Sequence, residues 1–501
     1  MAGIGFVLRE LDVRDTISGS VSAAGHGMIV AAGPWIFTVL SLGLIHRGTA
    51  TVLTSDVSYS FRSFVMYAFA ISLLATAPFL NVGVRLASDD IYRRTFSGVR
   101  PRFLAAISIG SLASAAAALA VHTLVFGLAG TDLLIAVGST AIVALIWPTL
   151  AFCGAVRDYK GITASFGIGT LASILGTIWI ARRGFGTPAM IGMFLFGLSI
   201  VFFGLASRIL LAFPDQVGGL GSHLVQLVKG LRRHWMLAAG SFFAIGAIWA
   251  DKVVMWFGPD QVVLSNRLIS APAYDGALFL AYLVMIPALG LFVTAIETTF
   301  FEDSRRLFDA IQGQAPLARI ERLASTLEKQ TYKMMYGVLL TLGACCVVVI
   351  LISPVLVPFA GLQYRQLGIF RLGVLAVFFQ FMFVAASSVV LFLDRQSRFM
   401  ALQIIFLAAQ IGFTIMTIHL GQEYFGYGHL LACALSAFLA MSVLERTLGK
   451  VVYFTFAAAF RPAERGAVLP VKKKVVPISV ELEQETRPML PVLQSGPLLR
   501  P

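Results

Sequence analysis

The sequence predicts an all-α polytopic membrane protein, with about twelve transmembrane helices in two six-helix lobes around a central cavity. Three observations predict it. The 501 residues are 58% hydrophobic and only 13% charged, and the mean hydropathy is +0.85. Soluble domains are about 45–50% apolar and about 25% charged. Apolar runs of roughly 20 residues recur along the chain without the apolar/polar alternation of barrel strands, so the spans are helices. Basic residues gather in alternate connections between the runs.

The N-terminal segment, 1–20, is mixed in charge and too weakly apolar for a cleaved leader. The run from Val21 to Ile45 is longer than a leader's apolar core and is read as a retained first span. The first lobe occupies 21–214, with further spans near 63–84, 103–128, 133–156, 162–181 and 187–213. Residues 215–233 form a linker, glycine-containing and then basic and amphipathic. The second lobe occupies 234–448, with spans near 235–257, 272–296, 334–360, 371–393, 399–418 and 427–448. The tail, 449–501, is rich in proline and is expected to be disordered from about 461. Six spans on each side of a linker is the hydropathy pattern of two-lobed transporters.

With the N-terminus placed in the cytoplasm, about thirty of the 38 Lys and Arg residues fall on the cytoplasmic side. The bias survives removal of the tail, so the positive-inside rule places both termini inside the cell. The net charge of +13 is then explained by topology and attraction to anionic lipids, and no nucleic acid is implied.

The longest internal connection, 300–333, carries two apolar stripes. Leu307, Phe308 and Ile311 form one; Leu317, Ile320, Ala324 and Leu327 form the other, beyond a break at Gly313 to Pro316. Two short amphipathic helices lying on the inner membrane surface are expected. They serve either as a solvated connector with a lipid-facing side or as a docking platform for a partner, through Arg305, Arg306, Arg319 and Arg322.

Motifs for catalysis are lacking. No GxxxxGK[ST] loop occurs, and Gly167-Ile168-Gly169 lies inside an apolar run, where small residues let helices approach. Cys153, Cys345, Cys346 and Cys433 also lie in apolar runs, with no metal-ligand spacing. Asp89 and Asp90 share the loop 85–102 with five Arg residues and read as a salt-bridged face. Neither a metal, a cofactor nor an enzymatic activity is expected.

Charge within the spans is scarce and therefore informative. His26 sits among small residues, as a hydrogen-bonded packing group or a proton carrier. Gly33-Pro34 falls mid-span, where proline bends a helix and could serve a gate or hinge. In IGAIWADKVVMWFGP, Lys252 shares a stripe with Trp249 and Trp256 and is expected to snorkel to the interface. Asp251 is rotated about 100° from that stripe. It faces a wet cavity or a partner helix, binding sugar or pairing with an Arg of the other lobe. Asp275, near the start of the next span, either joins it or complements the helix dipole.

The opening MAGIGFVLREL, GPW at 33–35, WADKVVMWFGP at 249–259 and FFEDSRRLFDAI at 300–311 together resemble the Pel exopolysaccharide transporter family (PelG type). That family lies within the flippase-like superfamily of polysaccharide exporters and multidrug antiporters. The resemblance runs over about 1–455 and implies passage of a hexosamine-rich polysaccharide across the bacterial inner membrane. It also implies a cytoplasmic glycosyltransferase and small membrane proteins as partners, one of them a cyclic-di-GMP receptor. Two alternatives stand beside it. A cation-coupled multidrug antiporter of the same fold would want a buried acid in the first lobe, where the spans offer none. A scaffold for polysaccharide synthesis would transport nothing.

Overall fold

The computed structural model describes residues 41–92, 98–154, 156, 159–213 and 220–459. Among these, eleven helices are long and apolar enough to cross a membrane. The expected span at 21–45 lies almost wholly outside the described residues, as does the tail beyond 459.

The first lobe contains α1 (Ser55–Tyr92), α2 (Val99–Leu124), α3 (Gly130–Cys153), α4 (Tyr159–Arg182) and α5 (Thr187–Ala212). Its tightest pair is α4 on α5. A Cβ on Gly169 would stand 2.6 Å from the Gly197 carbonyl oxygen. In a bilayer, where lipid offers no hydrophobic drive to associate, such close backbone approach supplies the packing energy. Gly167 of the same motif has open space beside it. Asp89 and Asp90 lie in the last turn of α1 rather than in a loop, and pair with Arg85 and Arg102.

The linker folds into α6 (Leu220–Arg233). Its apolar face places Leu227 in a cluster with Val82, Ala105 and Leu237, while Lys229, Arg232 and Arg233 stay exposed. Helix α7 (Trp235–Trp256) opens the second lobe. A two-stranded hairpin follows, β1 (Val262–Val263) antiparallel to β2 (Ile269–Ser270).

Next comes one long, interrupted helix: α8 (Pro272–Tyr282), a tight turn at Leu283–Met285, α9 (Ile286–Ala295), a widened turn at Ile296–Phe300, and α10 (Phe301–Gln312). The tight turn has a cause, since Pro287 has no N–H for the Leu283 carbonyl. The lobe is completed by α11 (Leu317–Phe359), α12 (Leu367–Phe392), α13 (Gln396–Leu420) and α14 (Tyr427–Leu448). A further helix, α15 (Val451–Ala459), lies mostly in the separate C-terminal unit.

The stripes of 300–333 require a correction. They are not two separate short helices. One continues the α8–α9 span, and the other forms the first turns of the 43-residue α11. The two helices pack on each other and bury Leu307, Ile320 and Leu327. Extending a formed helix avoids a new nucleation cost, and the facing stripe covers apolar area that lipid would otherwise have to cover.

The lobes meet along α1 and α7, which run antiparallel. Tyr67 stacks on Trp256 with ring centroids 4.7 Å apart. Leu74 lies beside Gly246, and Val82 clusters with Leu237. At the end carrying the basic connections, Arg85 reaches Asp394 across the seam at 3.2 Å. At the opposite end the hairpin crosses it.

Candidate functional site

Asp251 and Lys252 sit in the last turns of α7, and both are buried, at 0% and 2% exposure. Their burial is possible because they meet each other. Lys252 Nζ donates to Asp251 Oδ1 at 3.1 Å and to the Ile248 carbonyl at 3.2 Å. Tyr282 brings a further oxygen, 3.4 Å from Nζ, and its ring lies 4.9 Å beneath the cation. Asp251 Oδ2 accepts from the Tyr274 hydroxyl at 3.1 Å and lies 3.5 Å from His429 Nδ1. The Gln410 amide spans the same imidazole, with Nε2 3.0 Å and Oε1 3.2 Å from Nδ1. Gln410 also touches Cys433 Sγ at 3.5 Å.

Four helices therefore close on one ion pair: α7, α8, α13 and α14. A buried pair survives only when its remaining donors and acceptors are also satisfied. Tyr274, Tyr282, Gln410 and His429 supply that satisfaction.

The snorkelling expected of Lys252 is corrected. Its stem turns inward, because Asp251, Tyr282 and a helix carbonyl lie within reach inside the lobe. Asp251 does face partner helices, but among the described residues every group it contacts belongs to the second lobe, and none is an Arg of the first.

Asp275, on α8, is closer to the seam. Its Oδ2 accepts from Trp256 Nε1 at 2.9 Å, while Oδ1 is buried with no hydrogen-bond partner among the described residues. Asp275 thus binds Trp256, one turn beyond Lys252 on α7. Trp256, held by Asp275, packs on Tyr67 of the first lobe, whose ring also meets Phe126 and His122.

From this base the hairpin reaches across. Tyr67 donates to the Ile269 carbonyl at 2.6 Å. Ser265 donates to Asp56 Oδ2 at 2.7 Å, and Asn266 to Ser60 Oγ at 2.8 Å. Arg267 Nη1 donates to the Gly127 carbonyl at 3.3 Å. Arg267 has φ +63°, where a side chain costs roughly 1–2 kcal/mol relative to right-handed backbone.

His26, Gly33 and Pro34 lie outside the described residues. Arg305 and Arg306 are exposed but engaged within α10, with Asp309 at 3.5 Å and Glu302 at 2.6 Å respectively. Arg319 and Arg322 are exposed near the start of α11. The sequence reading missed Tyr274, Tyr282, Gln410 and His429. His429 and Gln410 were visible as polar residues inside apolar runs, though nothing local connected them to Asp251.

Two kinds of likeness bear on identity. Among solved structures, the chain resembles one described as "Outward-facing conformation of a multidrug resistance MATE family transporter of the MOP superfamily". The TM-score is 0.61 at 14% identity, covering 90% of this chain and 99% of that one. A MOP superfamily transporter from Pyrococcus furiosus, described as having a binding pocket of reverse polarity that suggests a different function, matches at TM-score 0.59 and 14% identity. It covers 90% of this chain and 99% of its own. A MATE in complex with MaL6 matches at TM-score 0.61 and 14% identity, over 86% and 96%. The fold is thus that of the MATE transporters, twelve helices in two lobes. No curated protein matches the chain. The PelG family, described as "Putative exopolysaccharide Exporter (EPS-E)", matches residues 1–456. With all but the tail inside that match, the chain belongs to the PelG family.

Proposed function

We propose that this protein passes a hexosamine-rich exopolysaccharide from cytoplasm to periplasm across the bacterial inner membrane, within a synthesis-export complex. The observation that carries this reading is the PelG match over residues 1–456. The fold agrees with it, being that of a transporter family. The multidrug alternative is disfavoured by the first lobe. Its described carboxylates, Asp56, Asp89, Asp90 and Asp132, all belong to terminal turns of helices, so no acid lies within a span interior.

The orientation has both termini and the α10–α11 hairpin in the cytoplasm, from the distribution of Lys and Arg. There the hairpin and the basic face of α6 would meet anionic lipid headgroups. The exposed Arg319 and Arg322 are offered to a cytoplasmic glycosyltransferase. Small membrane proteins, including a cyclic-di-GMP receptor, complete the complex that the family resemblance implies.

Deletion of the gene in its native host tests the reading. Secreted exopolysaccharide should disappear and drug tolerance should be unchanged, with recovery on re-expression of the full chain. Unchanged secretion with new drug sensitivity would favour the antiporter.

A further inference from the structure

The hairpin concentrates its contacts on the opposite lobe. Within residues 262–270, Ser265, Asn266, Arg267 and the Ile269 carbonyl each bond a different point of the first lobe. Those points are Asp56, Ser60, the Gly127 carbonyl and Tyr67. They span the start of α1, three turns of that helix and the α2–α3 turn. The strands end within two residues of α8 and six of α7. The adjoining ends of those helices are pinned by the Trp256–Asp275 bond and by the Asp251–Lys252 cluster. The hairpin is therefore a tip on a fixed base.

The tip itself is built for reach. Leu264 N–H bonds the Leu268 carbonyl at 2.9 Å, and Arg267 N–H bonds the Leu264 carbonyl at 2.9 Å. This is a three-residue hairpin loop whose left-handed position ordinarily takes glycine. Here it holds Arg267, the residue that reaches Gly127. Backbone strain retained together with a cross-lobe contact points to a role for that contact.

The bonds differ in how easily water replaces them. Asp56, Ser265 and Arg267 are exposed, so their bonds exchange readily with solvent. Ser60 is only 5% exposed, and its bond to Asn266 lies beneath them. A polar crevice of about 220 Å³ adjoins that bond, lined by Ser60, Asp132, Thr187, Ser265 and Asn266 among others. It has room for water beside both side chains. Water there can take over the hydrogen bonds of Ser60 and Asn266 once the lobes part. At the far end of the seam, Arg85–Asp394 is exposed on both sides, the kind of pair that contributes little to closure.

Resting on the export reading above, we propose that residues 262–270 are the gate at this end of the transport path, with Asn266–Ser60 as its latch. A polymer leaving between the lobes must first lift the hairpin from α1. The exposed bonds yield first, and the buried latch sets the commitment to opening.

The test uses the full chain, in cells, with Cys at both positions: Ser60→Cys with Asn266→Cys. A short, reducible thiol-bridging reagent joins them. Secretion should fall at least tenfold as bridging nears completion, and return on reduction in the same cells. Complete bridging with undiminished secretion would overturn the gate. A second measurement does not depend on export. In a Thr187→Cys reporter, at a half-buried position lining the same crevice, adding Ser60→Ala to remove the latch should raise the rate of modification by a membrane-impermeant maleimide at least threefold. An unchanged rate, at equal protein level, would show that the hairpin does not lift as a unit and would also overturn the proposal. If the unsubstituted chain supports no secretion while the maleimide rate rises, the export reading fails and the moving hairpin stands.

Discussion

Lys252 Nζ lies 3.1 Å from the carboxylate of its own neighbour, Asp251, inside a lobe where neither residue meets solvent. Adjacent residues on a helix point about 100° apart, so the contact exists only because the lysine stem folds back. It does so over the Tyr282 ring, with Nζ donating to the Ile248 carbonyl. The pair is an internal anchor shared by four helices, and the following expectations start from it.

Removing either charge alone should be severe. Breaking a buried pair leaves an unpaired ion in an apolar setting, at about 3–5 kcal/mol. Asp251→Ala and Lys252→Met should each reduce the monodisperse, folded fraction in detergent and lower its thermal midpoint. The double change Asp251→Asn with Lys252→Met should recover most of that loss, because no charge is stranded. A double variant as unstable as the worse single one would show that the pair adds stability beyond mutual neutralisation.

His429 should matter through shape and hydrogen bonding. His429→Ala takes the imidazole from the Gln410 amide, at about 1–3 kcal/mol for a lost buried partner, while Asp251 Oδ2 keeps the Tyr274 hydroxyl. His429→Gln, which can still reach that amide, should cost less. Thermal unfolding of the purified protein separates the two variants; equal loss in both would point to ring packing against Tyr282 instead.

Arg267 offers a test of backbone strain against contact. Arg267→Ala loses the bond to Gly127 and keeps the unfavourable φ of +63°. Arg267→Gly loses the same bond but relieves the strain, so it should be more stable than the alanine variant by about 1 kcal/mol. Chemical denaturation in detergent reads the difference directly.

Topology is open to a labelling measurement. Under the proposed orientation, an impermeant thiol reagent added to intact cells should modify Glu423→Cys and spare Gln312→Cys. Both positions are exposed, so access depends on the side of the membrane. The reverse pattern would invert the whole arrangement.

The arginines of the α10–α11 hairpin should separate into two classes. Arg305 and Arg306 already pair within α10. Reversing Arg319 and Arg322 to Glu should therefore weaken capture of the proposed glycosyltransferase more than reversing Arg305 and Arg306. Both double changes should weaken attraction to anionic vesicles, at about 1 kcal/mol per charge. Undiminished capture from detergent by the Arg319/Arg322 variant would leave only the lipid role.

Span positions were legible in the sequence because burial in a bilayer is a local, additive property. Residues 235–257 were expected as a span, and α7 runs from Trp235 to Trp256. A run of apolar residues must satisfy its own backbone wherever it sits in lipid, so length and composition suffice. The same locality misled at 63–84. There α1 extends from Ser55 to Tyr92, because polar turns beyond the bilayer cost nothing to keep helical and gain partners in α6 and the hairpin. The family, too, was readable from four short segments.

Direction and partnership were decided only by the fold. The sequence put Lys252 on a tryptophan stripe and left its stem free to travel either way. Helix packing placed Tyr282 and the Asp251 carboxylate within reach inside the lobe, and the stem turned to them. His429 stands 178 residues from Asp251, too far for any pattern of spacing to join them, yet helices α7 and α14 set them 3.5 Å apart. The stripes of 300–333 likewise showed that an apolar face existed but not what would cover it. Amphipathicity is a property of one helix, whereas the surface that buries it belongs to another, and only the tertiary structure chose α10 and α11 for each other.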